Sequence, residues 1–152
     1  MRESWDEYFM GLALKAGTRS KDKSTKVGAI AVGPDREVRT TAYNGFPRKV
    51  RDDIEARYER PLKYLYTAHG EENIVSTAAR IGVSLKGCTV YIACVPEPLP
   101  PCATCARMMI NAGVVRVVYG RAEVPERWKE QCDAALEMLS EAGVEVMMME
   151  VK

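Results

Sequence analysis

The succession of strand-like and helix-like segments predicts an α/β protein, a three-layer α/β/α sandwich around a mixed five-stranded sheet. Three observations carry the prediction. A helical first segment is followed by two apolar runs, "KVGAIAVG" and "EVRTTAYNG", joined by the turn-forming "GPDR". From residue 68 onward helices and strands alternate. Finally, 152 residues with 47% hydrophobic and 28% charged content suit one domain, residues 1–152, with a core of its own.

Each element has a local reason. Ser4 and Glu7 stand at capping-box spacing; Trp5, Tyr8, Phe9, Leu12 and Ala16 recur at helical intervals, with Trp5 and Phe9 read as core anchors, and Gly17 can end the helix. Lys26 to Gly33 and Glu37 to Gly45 then form an antiparallel hairpin. The stretch "FPRKVRDDIEARYERPLKYLY" breaks the pattern with charges and two prolines, leaving room for one short helix around Asp52 to Glu59. A connection this long in a compact domain is usually functional or mobile. A helix from about Ala68 to Ile81 comes next, then strand Cys88 to Cys94 and a helix from Ala103 to Ala112. Strand Val114 to Tyr119, a helix from Pro125 to Ala142 and a last strand "VEVMMMEV" complete the chain. The alternation implies right-handed crossovers and a parallel part of the sheet. The methionines at 147 to 149 read as a buried strand.

Composition excludes several classes of function. A formal charge of +1 and 7% aromatic residues do not suit a nucleic-acid binder, which needs a basic track and stacking rings. No apolar run approaches a membrane span, and the acidic "MRESWDEYFM" is unlike a signal or transit peptide, so a cytoplasmic protein is expected. Five cysteines without a secretion signal favour metal binding or catalysis over a disulfide framework. Cys88, Cys94 and Cys132 lie among apolar neighbours and read as small core residues.

Cys102 and Cys105 differ. Pro101 precedes them at a helix start, where a missing N–H costs nothing, and their spacing puts both sulfurs on one face. The helix terminus favours thiolate over thiol. His69, the sole histidine, begins another helix. His69, Cys102 and Cys105 together are a soft set suited to tetrahedral zinc, with a fourth position open as in catalytic sites. Two thiolates cancel the charge of the ion, so a nearby base is needed to take a proton from water, and Glu71 is placed for it. A structural zinc would want a fourth ligand, which Cys94 or Cys88 could supply.

The H-x-E and P-C-x-x-C combination is the signature of zinc deaminases. With "RSKDKSTKVGAIAV", "TAYNGFPR", "HGEENIVSTAAR" and "PPCATCARMMINAGVVRVVY", the chain resembles the cytidine and deoxycytidylate deaminase superfamily over nearly its whole length, and within it the deoxycytidylate (dCMP) deaminases. The resemblance implies zinc on His69, Cys102 and Cys105, with Glu71 shuttling a proton to the pyrimidine ring and then to the leaving ammonia as dCMP becomes dUMP. It further implies that the Gly70 N–H meets the pyrimidine carbonyl and that Asn44 contacts the sugar. Ser20, Lys23 and Thr67 are candidates for the 5′-phosphate, and Tyr119 for a pocket wall. Family members are activated by dCTP, with Mg2+ accompanying the effector nucleotide, and inhibited by dTTP; many are homohexamers. Tyr43, Asn44, Gly45 and Phe46, with Arg48, Lys49, Asp52 and Asp53, would form that second site.

Two departures from the family pattern stand out. Gly70 replaces the usual alanine, and "CVPEPLPPC" is rich in proline where the approach to the cysteines is commonly shorter, which stiffens the rim beside Leu99 and Pro100. The competing readings are another superfamily enzyme, acting on a free nucleoside or another amino-bearing base, and a zinc-stabilised nucleotide-sensing module without chemistry. Glu71, which is no metal ligand, would have no work in the latter.

Overall fold

The structure is a computed structural model and describes residues 1–151. Its elements run α1 (Trp5–Gly17), β1 (Lys26–Val32), β2 (Val38–Tyr43), a 3-10 turn (Glu55–Tyr58), α2 (Lys63–Tyr66), α3 (Gly70–Ile81), β3 (Thr89–Val95), α4 (Ala103–Asn111), β4 (Arg116–Gly120), α5 (Glu126–Glu141) and β5 (Glu145–Met149). The five strands form one sheet in the order β2-β1-β3-β4-β5. β1 is antiparallel to both of its neighbours, and β3, β4 and β5 are parallel, so the sheet is mixed as expected.

Period-two alternation sorts the two faces. From β1, Ala29 and Ala31 face a core shared with Ile74 of α3, Met109 of α4 and Leu139 of α5, while Ile30 and Val32 face Phe9, Met10 and Ala13 of α1. One helix thus covers one face and three cover the other. α1 approaches so closely that a Cβ on Gly28 would stand 1.8 Å from the Ala13 carbonyl oxygen, and only glycine fits there. The Ser4 capping box is present: the Glu7 N–H donates to Ser4 Oγ at 3.2 Å and the Ser4 N–H to Glu7 Oε2 at 2.8 Å.

Three expectations change. Trp5 is not a core anchor. It is 48% exposed and stacks on Phe9 with the Arg36 guanidinium 4.9 Å above its ring, because its position in the first helical turn lies beyond the sheet. The methionine run is only half-buried, with Met148 exposed, since β5 is an edge strand with β4 as its one neighbour. In the charged stretch, the expected helix over 52–59 is a single 3-10 turn, and a second short helix, α2, follows it.

The register sets the site. Lys26, at the start of β1, pairs with Val95, at the end of β3. The chain leaving β3 toward α4 therefore emerges beside the segment entering β1, against which the first residue of α3 packs.

Candidate active site

Two helix starts converge at this end of the sheet. His69 is the residue preceding α3, and Cys102 precedes α4, with Cys105 in its first turn. His69 Nδ1 lies 3.5 Å from Cys102 Sγ and 3.4 Å from Cys105 Sγ, and the three donor atoms all fall within 4.8 Å of one another. A tetrahedral zinc with Zn–S near 2.3 Å and Zn–N near 2.0 Å spaces nitrogen and sulfur by about 3.5 Å. The donor set fits that ion in both chemistry and spacing. Among the described residues it is the only such group of three or more histidine, cysteine and acidic side chains. Neither Cys94 nor Cys88 joins it, so among the described residues the group has three members, the number of protein ligands that catalytic zinc sites use.

The electrostatics are those of an unbalanced cluster. Glu71 is buried, and burial raises its carboxyl above the ordinary range against the opposing pull of His69. The hydrogen bond from Cys105, with His69 beside it, holds Cys102 well below the usual thiol range, while Cys105 is raised by the same pairing and by burial. The Cys102 sulfur pushes His69 up to about 9. A divalent cation among these groups would favour both thiolates and the neutral imidazole. The other three cysteines behave as core residues. All are buried, and burial pushes Cys94 up to about 12 and Cys132 to about 11.

Gly70 opens α3 and is buried against Val27: an added Cβ would stand 3.0 Å from Val27 Cγ1 and 3.3 Å from the Val27 carbonyl oxygen. Asn44 is buried and its amide is committed to the backbone, accepting the Val27 N–H at 2.8 Å and donating to the Thr25 carbonyl at 3.0 Å. One amide proton and one lone pair remain for a ligand. Ser20 is buried and donates to the Asn44 carbonyl at 2.9 Å, Thr67 is half-buried, and Lys23 is exposed with Glu55 at 3.6 Å. Tyr119 belongs to the core and is only 5% exposed. Pro100 and Pro101 are buried at the approach to Cys102, while Leu99 is half-buried.

The second group of candidates divides. Tyr43, Gly45, Phe46 and Asp52 line an opening of about 130 Å3 together with Arg19, Lys21, Asp22, Tyr58 and Thr67. Phe46 stacks on Tyr58 with ring centroids 4.7 Å apart. Arg48, Lys49 and Asp53 are exposed and do not line it, Asp53 being paired with Arg51 at 3.2 Å. A larger opening of about 330 Å3 lies at the far end of the sheet, lined by Trp5, Asp6, Arg36, Tyr91 and Arg116 among others, and none of the donor residues borders it.

Sequence reasoning missed four residues that hold this site. Val27 walls Gly70, and Asn73 of α3 donates to the Tyr43 carbonyl at 2.8 Å. Asp22 and Lys63 form a buried ion pair at 2.8 Å. Asp22 followed by Ser24 and Thr25 is a turn signal that could have been noticed, whereas Lys63 carries no local sign of burial.

The family profile described as "Cytidine and deoxycytidylate deaminase zinc-binding region" matches residues 3–121. An uncharacterized deaminase in the luxG 3′ region of Aliivibrio fischeri is 35% identical over 148 residues, 96% of this chain and 94% of that one. Deoxycytidylate deaminase of Mus musculus is 33% identical over 145 residues, 92% of this chain and 76% of the mouse protein. The crystal structure of the dCMP deaminase of cyanophage S-TIM5 in apo form superposes with a TM-score of 0.73 at 26% identity, covering 98% of this chain and all of the phage chain.

Proposed function

Since this chain belongs to the cytidine and deoxycytidylate deaminase family, we propose that it hydrolyses dCMP to dUMP and ammonia at the site built by His69, Glu71, Cys102 and Cys105. The observation that carries the reading is the buried Glu71 carboxylate, two residues beyond a metal ligand and not itself a member of the ligand set. The deaminases of mouse and phage named above support dCMP as substrate.

His69, Cys102 and Cys105 would hold the zinc, which when bound supplies electrophilic activation of water. Glu71 takes a proton from the attacking water as a bond forms at the pyrimidine carbon bearing the amino group, and passes that proton to the ring nitrogen beside it. It then takes the second water proton and delivers it to the amino group, so that the C–N bond breaks, ammonia leaves and a carbonyl remains. Burial suits Glu71 to both roles, because a carboxyl raised above its ordinary range is a stronger proton acceptor than an exposed one. The Gly70 N–H, at the start of α3, would meet the pyrimidine carbonyl. Asn44 would use its remaining amide groups on the sugar, with Ser20, Lys23 and Thr67 toward the phosphate and Tyr119 beneath the ring.

Regulation by dCTP with Mg2+ and by dTTP is part of the same proposal, as is assembly into a homo-oligomer, a hexamer by family likeness. The opening beside Tyr43, Gly45 and Phe46, with its stacked rings and the flanking Arg19 and Lys21, supports a nucleotide effector there.

Ammonia release from zinc-loaded protein decides the matter, with dCMP, deoxycytidine and CMP in parallel and Glu71→Ala as blank. Turnover of dCMP alone is expected, and its acceleration by dCTP with magnesium supports the effector site. Equal turnover of deoxycytidine would move the reading to a nucleoside deaminase. No turnover of any of the three, with one zinc per chain, would rule out these pyrimidines.

A further inference from the structure

His69 is fixed by the backbone before it, and that backbone is closed into a ring by two buried charges. Lys63 Nζ lies 2.8 Å from Asp22 Oδ2, the two side chains being 9% and 7% exposed, and it also donates to Ser24 Oγ at 2.9 Å. Asp22 Oδ1 accepts the N–H groups of Ser24 and Thr25 at 2.9 and 3.1 Å, which shapes the turn into β1. Asn44 then clamps Thr25 and Val27, and its own N–H donates to the Val27 carbonyl at 3.0 Å. Gly45 and Ala68 exchange backbone hydrogen bonds of 3.1 and 2.8 Å, and the Thr67 N–H returns to the Lys63 carbonyl at 3.0 Å. The circuit runs from Lys63 to Asp22, along the turn to Val27, across Asn44 and Gly45 to Ala68, and back to Lys63. His69 is the next residue after Ala68, and Gly70 packs on Val27.

We infer that Lys63 and Asp22 are positioning residues for the reaction, setting His69 and Glu71 through this ring. A buried ion pair is a poor device for stability alone, because apolar residues of similar volume do as well or better. What it supplies here is location. α2 has four residues, no side-chain cap and Lys63 as its only buried residue, while Tyr64 and Leu65 are exposed, so the ammonium is what fastens α2 to the turn. Freed of it, the segment leading into Ala68 is held to the turn only through the Gly45 bridge and Asn44, and the imidazole is less firmly placed against the two sulfurs. The inference rests on the deaminase reading for its kinetic arm only.

The test uses the full chain with Lys63→Met, Asp22→Asn, Lys63→Arg and the double variant Lys63→Met with Asp22→Asn, which keeps an acceptor for the Ser24 and Thr25 N–H groups, at a temperature where each is folded. The readouts are the visible spectrum of the cobalt-substituted protein, the rate of metal removal by a chelator, kcat and KM for dCMP, and the thermal midpoint. Partners that orient metal ligands are typically worth about 10- to 100-fold in affinity or activity. Lys63→Met is therefore expected to release metal about tenfold faster, to shift the cobalt spectrum and to lower kcat more than it raises KM. The double variant is expected to recover the thermal midpoint without recovering spectrum or kcat, and Lys63→Arg to recover part of both. A fall in midpoint alone, with spectrum, metal release and kcat unchanged, would overturn the inference, as would a double variant restored in every readout. If Lys63→Met does not fold, Asp22→Asn gives the same reading. If the wild type fails to turn over dCMP, the functional proposal falls, and the cobalt spectrum and release rate still decide this one.

Discussion

The two ends of the sheet each gather charge, and they do so differently. At the far end, Asp6 meets Arg116 through two hydrogen bonds of 2.9 Å and the Tyr91 hydroxyl donates to Asp6 at 2.6 Å, so acid, base and donor are matched. At the other end Glu71, Glu72, Cys102 and Cys105 stand around a single imidazole, four potential anions with one potential cation between them. A matched cluster is complete within the protein. An unmatched one persists only if something else supplies the missing charge, and that is the physical content of calling it a site. The larger of the two openings described lies at the matched end, and none of the donor residues borders it.

The contrast breaks most sharply at Glu71. Glu71→Gln keeps shape and metal while removing the proton carrier, so turnover should fall by at least about 100-fold with one zinc per chain retained. Cys105→Ser should instead lose metal and activity together, measured by elemental analysis alongside ammonia release. At the matched end the result should invert: Arg116→Met should lower unfolding free energy by about 2 kcal/mol in urea titration while leaving kcat at the wild-type value. A loss of activity there, at a temperature where the variant is folded, would mean that the two ends are coupled.

Acid sharpens the same comparison. The hydrogen bond from Arg116, with help from Tyr91, holds the Asp6 carboxyl below its ordinary value of 3.8. For Asp22 burial acts upward, but the Lys63 bond and the backbone donors outweigh it, and the net shift is also down. A carboxyl depressed by folding contributes stability above its unfolded value, and this is lost as pH falls through the folded one. The urea midpoint of the wild type should therefore fall below about pH 4, and fall less steeply in Asp6→Asn. The smallest effect belongs to Gly70→Ala. A methyl at 3.0 Å from Val27 Cγ1 needs a shift of a few tenths of an ångström, offset by the lower chain entropy of alanine, so thermal midpoint and kcat should both stay close to wild type.

How much of this was legible beforehand divides along the same physical line. The element order and the donor set were readable because their causes are local: hydrophobic period, a capping box, a proline before two cysteines. Residues whose role depends on distant partners were not. Lys63 sits in a stretch of charges that reads as solvated, and it is buried because Asp22 waits in a turn far upstream. Trp5 looked like core by type and spacing, yet its place in the first turn carries it past the edge of what α1 covers. The methionine run promised a buried strand, but whether a strand is central or at the edge is decided by sheet order, which hydropathy does not encode.

The position of β1 between β2 and β3 has a consequence for how the chain is built. β2 follows it almost at once, whereas β3 arrives only after the charged stretch and α3 have been traversed. Closing that long loop carries the larger entropic cost of the two pairings, and it also brings Val27, Gly70 and His69 beside the chain leading to Cys102. The full donor set is therefore assembled when β1 acquires its second partner. During refolding, appearance of the complete metal spectrum would serve as a clock for sheet closure.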